Sequence, residues 1–162
     1  AWMLKADLSN ASLKKANLFQ AQLLGANLDG ADLTGSRLAS DLTKASLKGA
    51  ILIGADLSAD MRNQSMGLMR GVLVSANLEG ADFSNANLSR TKFEFASMKG
   101  VNLEGANLMR AELGGADLTG ARVKGADFTD ADVASAKLKD LVDVADSNLE
   151  DGASNLNLAI RK

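Results

Sequence analysis

A large apolar residue stands at almost every fifth position of this chain. The first run of centres is Met3, Leu8, Leu13, Leu18, Leu23, Leu28, Leu33 and Leu38, and Leu42, Leu47, Leu52 and Leu57 follow after one shortened step. From Leu68 the step holds through fifteen centres to Leu138, passing Phe83, Phe93, Met98, Val123, Phe128 and Val133. Two places before a centre stands a small residue, usually Ala, and one place before it Asp or Asn. Ala6-Asp7-Leu8, Ala16-Asn17-Leu18 and Ala26-Asn27-Leu28 show the unit. The two places after a centre hold Gly and most of the remaining charge.

A period of five belongs neither to a helix, at 3.6, nor to a flat strand, at 2. Leu at every fifth place would spiral around a helix and form no stripe, so an amphipathic helix is rejected. If every fifth side chain faces one core, the backbone must wind around that core once per few units. Only a small side chain fits beside the centre in a narrow interior, which accounts for the Ala. Gly two places after the centre, as at Gly25, Gly30, Gly80, Gly100 and Gly120, marks where the chain turns. The chain has no Pro, as expected where almost every coil must pair with those above and below.

With its unit read as A-[D/N]-L-x-x, the chain resembles the pentapeptide-repeat family over about residues 1–140. The resemblance implies an all-β fold: a right-handed, quadrilateral parallel β-helix, a β-solenoid of about 20 residues per coil and about seven coils. Gly80, Gly100 and Gly120 recur at that spacing. The expected layout is a repeat body over 1–140 with an irregular loop at 59–67, then an irregular or short helical C-terminal cap over 141–162. For 140–150 the alternatives are irregular repeats centred on Val144 and Leu149 or a short helix; Leu156, Leu158 and Ile160 could cover the coil end or pair with another copy. The chain opens with Ala1 already in register, which reads as a processed protein or an excised domain.

Two irregularities interrupt the body. The step from Leu38 to Leu42 lacks one residue, and that from Leu57 to Leu68 has one more than two units. The second is read as a bulging corner. Counting 20 residues per coil beyond it stacks Arg70, Arg90 and Arg110, with Met69 and Met109 beside them. Allowing for the extra residue also stacks Ile51 on Val72 and Ile53 on Val74, with Phe95 one coil on.

The apolar share is 46% but aromatics are only 4%, so the core is aliphatic. With no Cys and no His, disulfides, thiolate chemistry and the commonest general base and metal ligand are missing. Net charge is −2, with the C-terminal end acidic: residues 126–162 hold eight acids against four bases. No apolar run reaches the length of a membrane span. The remaining carboxylates sit outward on a convex rod, without a cleft to perturb them. Catalysis, cofactors and metal sites are therefore not expected.

The reading of function is a non-catalytic protein-interaction or structural scaffold module. Its candidate interaction surface comprises Ile51, Ile53, Met61, Arg62, Met66, Met69, Arg70, Val72, Val74, Arg90, Phe95, Met109 and Arg110. Contiguous outward apolar residues point to a partner, and an Arg ladder to an anionic one. The expected partner is another protein, or a second copy through a coil end or the 51–95 apolar face; direct nucleic-acid binding is not expected. A bacterial origin would favour the cytoplasm. The family resemblance also implies an alternative, a DNA-mimicking protector of a type II topoisomerase such as gyrase, which calls for an acidic face along the rod.

Overall fold

The five-residue unit closes on itself through one turn and one inter-coil bridge. In the computed structural model, which describes residues 1–62 and 68–162, the centre carbonyl of a regular unit accepts the N–H three residues on, as Leu8 O does from Ala11 N at 3.1 Å. The residue two after the centre has positive φ, between 53° and 72° along the repeats, the pattern of a type II turn. Gly takes this position without strain; Lys, Asn, Arg and one Phe take it at a cost of about 1 kcal/mol each.

Between turns the chain is extended and pairs in parallel with the neighbouring coils. Leu8 N donates to Asn27 O at 2.7 Å, Asn27 N to Ala6 O at 2.9 Å, and Asn10 N to Asp29 O at 2.8 Å. These single bridges stack into four ladders, the four sides of a β-solenoid. Side 1 runs Trp2, Gln22, Asp41, Val72, Lys92, Glu112, Asp132, Ser154; side 2 starts at Asp7, side 3 at Ser12 and side 4 at Asn17. Pairing is by one bridge per unit, and the described residues contain no longer strand.

The Asp or Asn before each centre belongs to the turn. Its Oδ1 accepts the N–H two residues on, as Asp7 does from Ser9 at 3.0 Å and Asn27 from Asp29 at 3.0 Å. Behind it, centres and small residues from Ala21 to Ala136 form one closed core. Met3, Leu8, Leu13 and Leu18 of the first coil are only half-buried.

The chain after Leu141 mixes both expected alternatives. A 3₁₀ turn, Val144–Asp146, a single α-turn, Leu149–Gly152, and a second 3₁₀ turn, Leu156–Leu158, lie across the last coil. Leu149 is fully buried and takes the place of a centre, whereas Leu158 and Ile160 are exposed. Ser154 and Ile160 still bridge to Asp132 and Lys137. No helix of the described residues is long and apolar enough to cross a membrane.

The structure corrects the count across the second irregularity. Asp41 pairs with Val72 and Val72 with Lys92, and the first of these steps along the chain is longer than the second by eleven. Eleven residues, not one, have therefore been inserted, and they lie between Leu57 and Val72. Leu68 is exposed and centres nothing; the core resumes at Leu73.

Candidate protein-interaction surface

The inserted segment rises from the corner between sides 4 and 1. Its base is tied at several points. Gly71 N donates to Leu57 O at 2.8 Å, Asp60 N to Met69 O at 2.7 Å, and Thr91 Oγ1 to Leu57 O at 3.2 Å. Arg37, stacked over the Phe19 ring at 5.5 Å, donates to Ser58 O at 3.1 Å and pairs with Asp56 at 2.8 Å. Arg70 donates to Arg90 O at 3.0 Å and to Glu112 Oε1 at 2.6 Å. Lys92 also reaches Glu112, at 3.2 Å. Burial alone would push the Glu112 carboxyl up, but hydrogen bonds from Arg70 and Lys92 outweigh it and hold it below the usual glutamate range.

The shortened step lies at the same corner, one coil below. Asp41 bridges Gln22 one residue short of a regular coil, and Ser40 Oγ turns inward to donate to Leu18 O. A tight corner beneath an expanded one leaves a groove of about 590 Å³ between them. Trp2, Gln22, Asp41 and Val72 of side 1 line it, with Gln20 and Ser40 of the corner and Leu68 and Met69 of the insertion.

Side 1 contributes Trp2, Gln22, Asp41 and Val72 to this groove and carries a largely apolar column beside it. Leu4 and Leu24 stack in one column, since Lys5 N donates to Leu24 O at 3.0 Å, and Val74 continues that column past Thr43. Trp2 is 83% exposed, Leu4 51% and Leu24 40%. Of the residues expected from sequence, Val72, Val74 and Met69 belong to this surface. Phe95 lies at its edge, at the corner of sides 1 and 2, 69% exposed at φ 60°. Its ring covers Gly115, where a Cβ would sit 2.7 Å from it.

Other expected residues are dispersed. Ile51 stacks on Asp82 and not on Val72, so Ile51 and Ile53 form a separate apolar spot on side 3 among polar neighbours. Arg70 is no member of an Arg ladder: its side chain is 15% exposed and ties the insertion to the wall. Arg90 and Arg110 do stack, at the corner of sides 4 and 1, and Arg110 pairs with Asp130 at 3.2 Å. Met109 stands on side 4, while Met61 and Arg62 project from the insertion. Met66 lies outside the described residues. Trp2, Leu4, Leu24 and Leu68 escaped the sequence reading; the 20-residue interval from Leu4 to Leu24, both just after a centre, was the available signal.

A pentapeptide-repeats profile matches residues 5–38, 39–62, 72–105 and 106–140, in eight copies. No curated protein matches the chain. Among solved structures, QnrB1, a plasmid-mediated fluoroquinolone resistance protein, is similar at a TM-score of 0.52 and 19% identity, over 96% of this chain and 79% of that one. HetL, a pentapeptide repeat protein involved in heterocyst differentiation regulation in Nostoc sp. strain PCC 7120, is 35% identical over 98% of this chain and 76% of its own, at a TM-score of 0.39. A pentapeptide repeat protein of the Arabidopsis thaliana thylakoid lumen is also 35% identical, over 67% and 68%, at 0.45. At so low an identity the likeness to QnrB1 concerns the fold alone.

Proposed function

The chain belongs to the pentapeptide-repeat family, and from that premise we propose that it is a non-catalytic scaffold that binds another protein through side 1. Residues 1–140 form the rigid body, a right-handed four-sided solenoid of about seven coils, and 141–162 cap it. The observation that carries the reading is the coincidence at one place of three departures from the repeat. The deletion and the eleven-residue insertion border one groove, and the column of exposed Leu4 and Leu24 and half-buried Val74 stands two residues along the same coils from Trp2, Gln22 and Val72, which line it. An exposed apolar column beside a groove suits a protein partner.

The carboxylates support the non-catalytic part. Those with a resolved shift are all pulled downward, the wrong direction for a general acid. Hydrogen bonds from the Thr34 hydroxyl and from Lys14 lower Asp32, and those from the Thr129 hydroxyl and N–H lower Asp127. Gyrase protection by DNA mimicry draws no support from the body, where several acids are neutralised in place. Asp32 pairs with Lys14 at 3.0 Å, Asp117 with Lys137 at 3.2 Å and Glu104 with Arg122 at 2.5 Å.

The test is a photo-crosslinking amino acid at position 24, compared with the same protein carrying Val72→Lys and Val74→Lys. Both substitutions are at outward positions and should leave circular dichroism unchanged. The crosslinked product should vanish in the double variant. Equal yield from a folded double variant would show that side 1 is not the binding face.

A further inference from the structure

The corner between sides 1 and 2 carries Lys5, Gly25 and Lys44 in one column: Lys5 N bonds to Leu24 O, and Gly25 N to Thr43 O. Both lysines are exposed, and neither makes an ion pair among the described residues. Lys14 and Arg37 are matched by Asp32 and Asp56, whereas Lys15, Arg90, Lys124 and Lys139, like Lys5 and Lys44, make no ion pair among the described residues. Of these cations, Lys5 and Lys44 are the two at the corner beside the apolar column. The Lys5 stem lies over Gly25, its Cγ 3.6 Å from where a Cβ would be. Two unmatched positive charges thus flank the Leu4–Leu24–Val74 column, with the groove along its opposite edge.

The spacing limits what can lie there. Coils are about 4.8 Å apart and an α-helix advances about 5.4 Å per turn, a mismatch below about 2 Å over three turns. Side chains from successive turns of a helix along the rod would therefore meet successive coils. An added β-strand is disfavoured because the ladder groups of side 1 are already used: Val72 N donates to Ser40 O and Val72 O accepts from Leu42 N. A bilayer is flat and would not enter the groove behind Leu68 and Met69.

We propose that side 1 binds an acidic amphipathic α-helix of a partner protein, laid along the rod axis. Its apolar residues at i, i+3 or i+4, and i+11 rest on Leu4, Leu24 and Val74, while i+7 meets Thr43. Two carboxylates about two turns apart face Lys5 and Lys44. The proposal rests on the reading of side 1 as the binding face and adds the chemistry of what binds.

Two synthetic helical peptides with the same apolar pattern, one flanked by Glu and one by Lys, would be titrated into the full chain. Trp2, the only tryptophan, reports from the surface by its emission. The Glu peptide should shift that emission to the blue, saturably. It should bind about tenfold more tightly than the Lys peptide at low salt, the gap closing as salt rises. Lys5→Glu with Lys44→Glu should reverse the preference, and Leu24→Lys should abolish binding of both peptides. Equal affinity for both peptides, or no reversal in the double variant, would overturn the proposal. So would a Trp2 shift with anionic vesicles but with neither peptide, which would reassign the side to lipid. If neither peptide binds while Val72→Lys and Val74→Lys still remove the crosslinked product, the helix is wrong and the face stands.

Discussion

The expanded and the regular corner between sides 4 and 1 lie one coil apart, and the contrast shows how a solenoid admits variation. After Leu88 the chain takes three residues, Ser89, Arg90 and Thr91, to reach the next bridge at Lys92; after Leu57 it takes residues 58–71 to reach Val72. Yet the same hydrogen bond closes both. Thr91 N donates to Leu88 O at 3.1 Å, and Gly71 N to Leu57 O at 2.8 Å. The wall resumes because one bond restores the direction of the chain, and a longer loop costs little further closure entropy. Corners can therefore take insertions while the stacked sides keep their register. The consequence is local crowding: Gly71 fills a place usually held by Ala, and a Cβ there would meet Leu57 Cβ and Leu57 O at 3.1 Å.

That contrast is sharpest in the core. Leu103→Ala in the regular wall should lower stability by about 2–5 kcal/mol in equilibrium denaturation, because a stacked centre cannot collapse into its cavity. Leu68→Ala in the insertion should change it by no more than about 0.5 kcal/mol. Equal losses would mean that the insertion is part of the cooperative core. At the junction, Gly71→Ala should cost about 1–3 kcal/mol by overpacking, and Gly80→Ala about 1 kcal/mol, since Gly80 has open space and only its φ of 66° to resist a side chain. Thermal unfolding of the pair would reverse that order if Gly71 served backbone freedom instead of close packing.

The smallest effect should be the pH response of the anchor. Glu112 is held below its ordinary range, so its contribution is present above that range and is lost as pH falls through its lowered folded value. Amide exchange at Asp60 and Gly71 should therefore quicken in acid before exchange at Thr91 does. Glu112→Gln should abolish that difference; a Gln variant that kept it would remove Glu112 from the anchor.

The wall was legible because it depends on local repetition. Every centre from Leu73 to Leu138 faces the core, as the five-step period requires. The same period misled at Leu68, which stands one unit before Leu73 only because the insert is one residue more than two repeats long. Arg70 failed likewise: its one-coil distance from Arg90 is a distance along the chain, and the intervening corner does not stack the two. Ile51 and Val72 were joined by allowing one extra residue where eleven exist, which moved them onto one side in the count and leaves them on different sides in the fold.

The amino-acid order alone determined which residues turn inward, because five-residue turns set side-chain direction within each unit. It also determined the Asp and Asn of the turns, whose bonds span two residues. Which outward residues share a side was decided only by the tertiary structure. A side is assembled from neighbouring coils, and its membership depends on how many residues each corner places outside the wall. Leu4, Leu24 and Val74 became one column, and Ile51 was separated from it, through that long-range count.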